Sequence, residues 1–365
     1  MCEYFAMSAP TRDFVHMWEW FALHCHNYSP LYERLSIAVA GDPELLGWVQ
    51  SAPPSAHLPP ALLAAVHYLL LDDPDDPLAA VYSGRSAADP APLFLQLCRD
   101  RQEEVMALLS TRHIQTNECG RSALIGPGLT WLASQLSEPM ALTDVGASAG
   151  LNLLCDRYRI DYGAAGATGP SDSPVQITCR VAGGNPPIAP ALPPLRSRIG
   201  IDRSPIDLGH PEDARWLLAC VWPDTGRLER TAASIHLAQQ DPPRVIAGDA
   251  IDALPGVLGD LPIGVAAVIV TTWAFAYFSL EARQRFVDLL EAESQTRTIA
   301  WLSAEGVGTV AAFADQPVPD RDAGADLLGA AVFEGGAARW ELLAIVHEHG
   351  GWIDWRGPAW EEGSR

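Results

Sequence analysis

The chain of 365 residues reads as an α/β protein, a mostly parallel sheet preceded by an all-helical N-terminal cap. Three observations predict this. Up to about residue 138 the apolar residues recur at helical spacing, and no strand candidate of weight precedes Ala141. From there, short β-branched runs alternate with helical ones, the pattern of a parallel sheet with crossover helices. The first of these runs, Leu142-Thr-Asp-Val145, leads straight into the small-residue turn Gly146-Ala-Ser-Ala-Gly150 and then an apolar segment. That is a strand, a tight turn and a helix, the arrangement that binds ligands at the edge of such sheets.

The elements follow in order. Phe14 to Cys25 is aromatic-rich and apolar on a helical period. Ser29-Pro30 starts a second helix, with Ser29 as N-cap and Pro30 in the first helical position, where its missing N–H costs nothing. Leu62 to Leu71 reads as a buried helix that the Pro74 and Pro77 loop ends. Leu93–Leu109 and Ser122–Leu136 complete the cap, residues 1–138. Residues 139–365 form the sheet domain. Its expected strands are Ala141–Val145, Ser197–Ile201, Arg244–Ala247, Ala266–Thr271, Thr298–Leu302 and Trp340–His347. Its expected helices are Leu151–Tyr158, Glu212–Val221, Arg227–Ala238 and Glu281–Glu293. A Gly/Pro-rich stretch at about 161–195 interrupts the alternation and holds one strand-like piece, Val175–Val181; it reads as an insertion or small antiparallel flap. Gly350-Gly351, between two strand-like pieces, suggests a closing antiparallel hairpin.

Composition narrows the function classes. The net charge of −21 repels nucleic acid and anionic membrane surfaces, so neither is expected as a partner. All 24 basic residues are Arg, which removes Schiff-base, P-loop and kinase lysine chemistry. The seven Cys form no C-x-x-C pair, which points to scattered thiols in a reducing compartment and to no zinc site. The acidic N-terminal stretch carries no evident signal peptide, and the apolar runs are too short to span a bilayer. A cytoplasmic protein of unspecified oligomeric state, acting on a small molecule, is the expectation.

The turn at 146–150 admits two chemistries. Gly146 and Gly150 let the backbone bend sharply and approach a ligand closely. In a nucleotide-type cofactor site, the pattern would be Asp-x-Gly-x-Gly-x-Gly with Ser148 at the middle Gly. In a hydrolase, Gly146-Ala147-Ser148-Ala149-Gly150 is G-x-S-x-G and Ser148 the nucleophile, with Asp249 and His347 or His349 following in chain order. Asp144, Asp202 and Asp249 each sit at the C-terminal end of an expected strand. An acid after the second strand is placed for ribose hydroxyls, and Gly248-Asp249-Ala250 after the third for an adenine ring. An acid beside the Gly turn suits a cationic group better than a pyrophosphate.

On these residues, residues 141–350 resemble the class I S-adenosylmethionine-dependent methyltransferases. The resemblance implies a Rossmann-like sheet and S-adenosylmethionine as cofactor. It assigns Asp144, Gly146 and Gly150 to the glycine-rich turn, Asp202 to the ribose, and Asp249 to the adenine side. Ala147, Ser148, Asn152, Arg203, Gly248, Ala250, Thr271 and Asn117 would complete the cofactor site. A second resemblance spans nearly the whole chain. Ser29-Pro-Leu-Tyr-Glu, Ala65-Val-His-Tyr-Leu, Gln115-Thr-Asn-Glu-Cys-Gly-Arg121, Val145 to Leu153, Asp156-Arg-Tyr, Arg215-Trp-Leu and Val221-Trp-Pro-Asp are similar to an uncharacterised bacterial family with a domain of unknown function.

The candidate catalytic residues are Tyr277, Trp273, Glu118 and Arg121. Trp273 and Tyr277 follow the fourth expected strand, four apart, and so share a face if a helix starts there; the alternative is an aromatic pair packed in the core. Glu118 and Arg121 belong to a polar cluster that could equally cap the next helix. Trp222 reads as core, or as the wall of an apolar pocket. His347 and His349 share a strand face, but no third metal ligand accompanies them. No metal is expected. A serine hydrolase, or a non-catalytic cofactor-binding protein on the same fold, remains an alternative to the methyltransferase.

Overall fold

The structure, a computed structural model, describes residues 14–316 and 325–358. These fall into two compact units. A helical unit comprises 14–116 and 207–232; a sheet unit comprises 117–206, 233–316 and 325–358.

The helical unit contains the helices Phe14–Cys25, Pro30–Ala40, Pro43–Ser51, Pro59–Asp72, Pro77–Tyr82, Pro90–Asp100, Gln102–Thr111 and Pro211–Ala219. Proline opens most of them, because the first helical N–H has no partner to lose. Side chains just before it take up the next donors: Ser29 Oγ accepts from the Tyr32 amide at 3.2 Å, and Asp42 Oδ1 from Leu45 at 3.0 Å. Asp76 and Asp89 cap in the same way. The single helix expected over Leu93–Leu109 is two. Arg101, at φ −117 and ψ 31, parts them with a non-helical backbone.

In the sheet unit the strands are β1 (Met140–Val145), β2 (Arg159–Asp161), β3 (Ala167–Thr168), β4 (Gln176–Thr178), β5 (Arg180–Gly183), β6 (Leu195–Asp202), β7 (Val245–Ala247), β8 (Ala266–Thr272), β9 (Ile299–Gly306), β10 (Ala325–Glu334), β11 (Ala337–His347) and β12 (Trp352–Trp355). A nine-stranded sheet runs β5-β12-β11-β10-β9-β8-β1-β6-β7. From β7 to β9 every neighbouring pair is parallel; β9, β10, β11 and β12 then pair antiparallel in turn. The fold is thus α/β, with a large, mostly parallel sheet and helices in the N-terminal part. Among the described residues no strand precedes Met140.

Helices lie against both faces of the sheet. On β9, Trp301 faces a core with Leu254, Val257, Phe286 and Leu290, from the helices Ala250–Gly259 and Leu280–Glu293. The next residue, Leu302, points the other way. There a Cβ on Gly128, in the helix Ser122–Gln135, would lie 2.6 Å from the Leu302 methyls. That glycine lets helix and strand come close.

Three expectations need correction. The run Ala325–Glu334 was not anticipated as a strand, yet β10 is central to the far half of the sheet. It is buried on both faces except at its ends, so the alternation that marks a half-exposed strand is absent. The strand-like piece Val175–Val181 is broken at Cys179. β4 joins the small sheet β3-β2-β4, and β5 crosses to the edge of the large one. The α-helix expected over Leu151–Tyr158 is a 3₁₀ segment, Leu151–Arg157, with non-helical backbone at Leu154. The hairpin at Gly350-Gly351 is present, between β11 and β12. No helix among the described residues is long and apolar enough to cross a membrane.

Candidate functional site

Strand order reverses at β1. The chain leaves it for β6 and β7 on one side, then returns to β8 and β9 on the other. In a parallel sheet, ligands bind beyond the strand ends at such a reversal. The turn after β1 begins with Gly146 at φ +80 and closes with Gly150 at φ +77. Between them Ser148 sits at φ +54, a strained conformation for a residue with a side chain. A Cβ on Gly146 would collide with Ala274, and one on Gly150 would lie 2.7 Å from Pro243. The Gly146 and Ala147 amides donate to the Ile201 carbonyl of β6 at 2.8 and 3.2 Å. Asp202, at the end of β6, accepts from the Ser148 amide at 2.8 Å through Oδ2 and from Ser204 at 2.8 Å through Oδ1. This carboxylate therefore locks the turn.

Asp144 is only 2% exposed, and its Oδ2 has no hydrogen-bond partner. Burial, then the nearby Asp202, pushes its carboxyl up to about 7, against a smaller opposing pull from Arg121. The Ser148 hydroxyl is also buried without a partner. Two orphaned polar atoms thus border one turn. Asn117, buried, accepts from the Leu151 amide at 2.9 Å and so occupies the first donor of the 3₁₀ segment. Buried Asn152 lies 3.4 Å from the Ser122 hydroxyl.

The residues expected on the adenine side are committed locally. Asp249 Oδ1 caps the helix Ala250–Gly259 at the Ile251 amide, 2.9 Å, and Oδ2 accepts from Arg203 Nε at 3.1 Å. That hydrogen bond to Arg203 holds the carboxyl below the usual carboxylate range. The Gly248 amide donates to the Asp202 carbonyl, and Ala250 opens the helix.

On the other side of β1 lies a second group of buried polar residues. Arg121 gives Nε to the Glu348 carbonyl at 3.0 Å and Nη1 to the Thr272 carbonyl at 3.1 Å. Glu118, 2% exposed, accepts from the Gly120 amide. Glu305 in β9 accepts from the amides of Ala274, Phe275 and Ala276 at 3.1, 3.0 and 3.3 Å, fixing the loop after β8. Burial pushes its carboxyl up nonetheless. Thr271 accepts from the Trp301 indole at 3.1 Å. The Trp273 indole donates to Asp326, the second residue of β10. Trp273 and Tyr277 do not share a helical face. Trp273 has φ +57, which no α-helix contains; only a 3₁₀ turn, Phe275–Tyr277, follows, and Tyr277 is 61% exposed. His349 lies beyond the end of β11, with its amide on His347 Nδ1 at 3.1 Å. No group of three or more His, Cys, Asp or Glu among the described residues is placed to hold a metal.

Glu305, Asp326 and Glu348 were not among the sequence candidates. Glu305 carried the same signal as Asp144, an apolar run ending in an acid. Asp326 carried none, because its strand was not recognised.

Over residues 15–355 the chain matches the model of DUF2332, described as an uncharacterized protein conserved in bacteria. The chain belongs to the DUF2332 family. No curated protein matches it. Several of the segments quoted for the second resemblance join one another inside the helical unit. Ser29 Oγ donates to Asp224 at 2.6 Å, and the Leu31 amide to the same carboxylate at 2.9 Å. Trp222 packs among Phe21, Tyr28 and Tyr32, with ring centroids 5.2 to 5.6 Å apart. Arg215 lies over the Tyr68 ring at 4.0 Å, and His67 meets the Ala219 carbonyl at 3.0 Å. These contacts tie the helical unit together. Residues 117–121 and 145–153 build the site.

Proposed function

We propose that this chain is an S-adenosylmethionine-dependent methyltransferase that acts on a small molecule, its sheet being of the class I methyltransferase type. The observation that carries this reading is the orphaned, buried Asp144 oxygen beside the glycine turn where strand order reverses. An unpaired carboxylate out of water is costly, and a cation beside it lowers the cost. A pyrophosphate would add like charge. S-adenosylmethionine brings an ammonium and a sulfonium, and when bound it supplies a methyl group to a nucleophile.

The residues present fit that group unevenly. Asp144 would hold its cationic end. Gly146, Ala147, Ser148 and Gly150 would line it, and Asp202 would accept ribose hydroxyls. Asp249 is the poorest fit, since Arg203 and the helix cap already engage both of its oxygens. The chain's remaining work is positioning and the exclusion of water. Glu305 and Thr271 support the loop after β8 and Trp273 stands on it, so these residues would set where an acceptor rests.

The test is calorimetric titration with S-adenosylmethionine and S-adenosylhomocysteine. Binding of both is expected, with Asp202→Ala losing about 2–4 kcal/mol, the worth of hydrogen bonds to a charged group. No heat from the wild type at millimolar ligand ends the reading.

One observation favours the hydrolase: Ser148 has the positive φ of a nucleophile elbow. Two count against it. Its hydroxyl meets no histidine or any other partner, and no described strand precedes β1.

A further inference from the structure

Asp144 and Ser148 stand apart from the other polar residues of the turn. They are 2% and 4% exposed, and Asp144 Oδ2 and Ser148 Oγ meet no partner. The surrounding strands explain why. Gly200 on β6 and Val270 on β8 lie level with Asp144 and offer it no polar side chain. Two residues further along β6 comes Asp202, on the same face by strand alternation. It holds the Ser148 and Ser204 amides, and its charge opposes a second negative charge at Asp144.

The other titratable groups around Asp144 come from three elements. Arg121, in the 3₁₀ turn Cys119–Arg121, attracts it but donates to the carbonyls of Thr272 and Glu348. Arg198, two residues before Gly200 on β6, is paired with Asp156. The Cys155 thiol, in the 3₁₀ segment after the turn, is kept protonated chiefly by burial. Among the described residues no basic side chain donates to the Asp144 carboxyl. A bare carboxylate so placed is costly, and a neutral acid much less so.

We propose that Asp144 is a proton switch at the cofactor site: a neutral acid in the empty protein, it releases its proton to solvent when the ligand's cationic end arrives, so that acid empties the site. This rests on the proposed cofactor reading and adds its regulation. Burial, and then Asp202, push the Asp144 carboxyl up to about 7, so the empty protein carries the proton on the acid side of neutrality. On binding, the O–H bond breaks, the proton passes to the buffer, and the ligand's positive charge takes its place. Below neutrality the ligand must expel the proton, and affinity falls with pH. Above neutrality the carboxylate is already bare, and affinity levels off. An anionic ligand would show the opposite sign, binding more tightly as Asp144 gains its proton.

The experiment is calorimetric titration of the full chain with S-adenosylhomocysteine, which carries the ammonium and has no methyl group to transfer. It is run at several pH values, in two buffers that differ in heat of ionisation. Affinity should rise by about ten-fold or more from about pH 5.5 to 7.5, and binding at about pH 6 should release about one proton. Asp144→Asn mimics the protonated acid. It should bind no more tightly than wild type at about pH 5.5, stay flat with pH and release no proton. Asp202→Asn keeps the test open if that variant does not fold. Removing the second carboxylate should shift the pH dependence toward acid, whatever it does to affinity. Wild-type binding that is flat with pH, or that tightens toward acid, overturns the switch and leaves the cofactor reading standing. Wild-type pH dependence retained in Asp144→Asn also overturns the switch. No binding at about millimolar ligand at any of these pH values ends both.

Discussion

Asp144 and Asp326 make stability depend on pH in a direction opposite to that of most carboxylates. Burial raises them to about 7 and about 8, so the folded chain holds these protons more tightly than the unfolded one. Their contribution is full below the ordinary carboxylate range near pH 4 and is lost as pH rises through 7 to 8. Wild type should therefore lose melting temperature steeply between pH 5 and 9. Asp326→Asn should lose less and should exceed wild type at pH 9, by several degrees. Parallel pH profiles for the two proteins would contradict this. Ser148 offers a second check at the same scale. Its hydroxyl is buried without a partner and its backbone is strained, so Ser148→Gly should be neutral or stabilise by up to about 1 kcal/mol in chemical denaturation. Wild type should also resist labelling by a fluorophosphonate. Asp144 and Asp202 were legible as residues because an acid closing an apolar strand next to glycine has few other uses. Arg203 and Asp249 were legible only as a neighbourhood, since sequence does not reveal that they pair with each other.

Elements were legible where a cap marks the start or where a short apolar run stands between helical segments. The proline-opened helices carry their own punctuation, and β1, β6, β8 and β9 stand out as β-branched runs between helical segments. β10 did not, because its Ala and Gly residues have low strand propensity and Val332 is its one β-branched residue. The 3₁₀ segment after the turn was read as an α-helix because its apolar spacing suits either. Tertiary fit decided it, with Asn117 taking the Leu151 amide. Tertiary fit should also outweigh propensity at Gly128. Alanine there gains about 1 kcal/mol as a helix former, yet its Cβ would lie 2.6 Å from the fully buried Leu302. Overpacking of this kind costs about 1–3 kcal/mol. Gly128→Ala should accordingly lower stability in urea denaturation, and a rise would mean that helix and strand separate freely.

At the scale of the molecule, chain order and spatial grouping diverge. Residues 207–232 follow β6 yet belong with the helices of 14–116. Asp224 shows why, binding Ser29 and Leu31 nearly two hundred positions earlier. Asp224→Ala strands both donors and should cost about 1–3 kcal/mol, read by thermal or urea denaturation; an unchanged midpoint would deny the tie its importance. Nothing in local composition announced this return, because a contact so distant leaves no periodic trace. The same divergence governs the edge of the large sheet, where β5, from the insertion, pairs with β12. A ribosome makes β5 long before β12 exists. Until Trp352–Trp355 is synthesised and docked, β5 lacks its neighbour and β11 keeps an open row of backbone donors and acceptors, the kind of edge that recruits other chains. Exposure to aggregation is therefore a matter of timing during synthesis, ended by the arrival of β12.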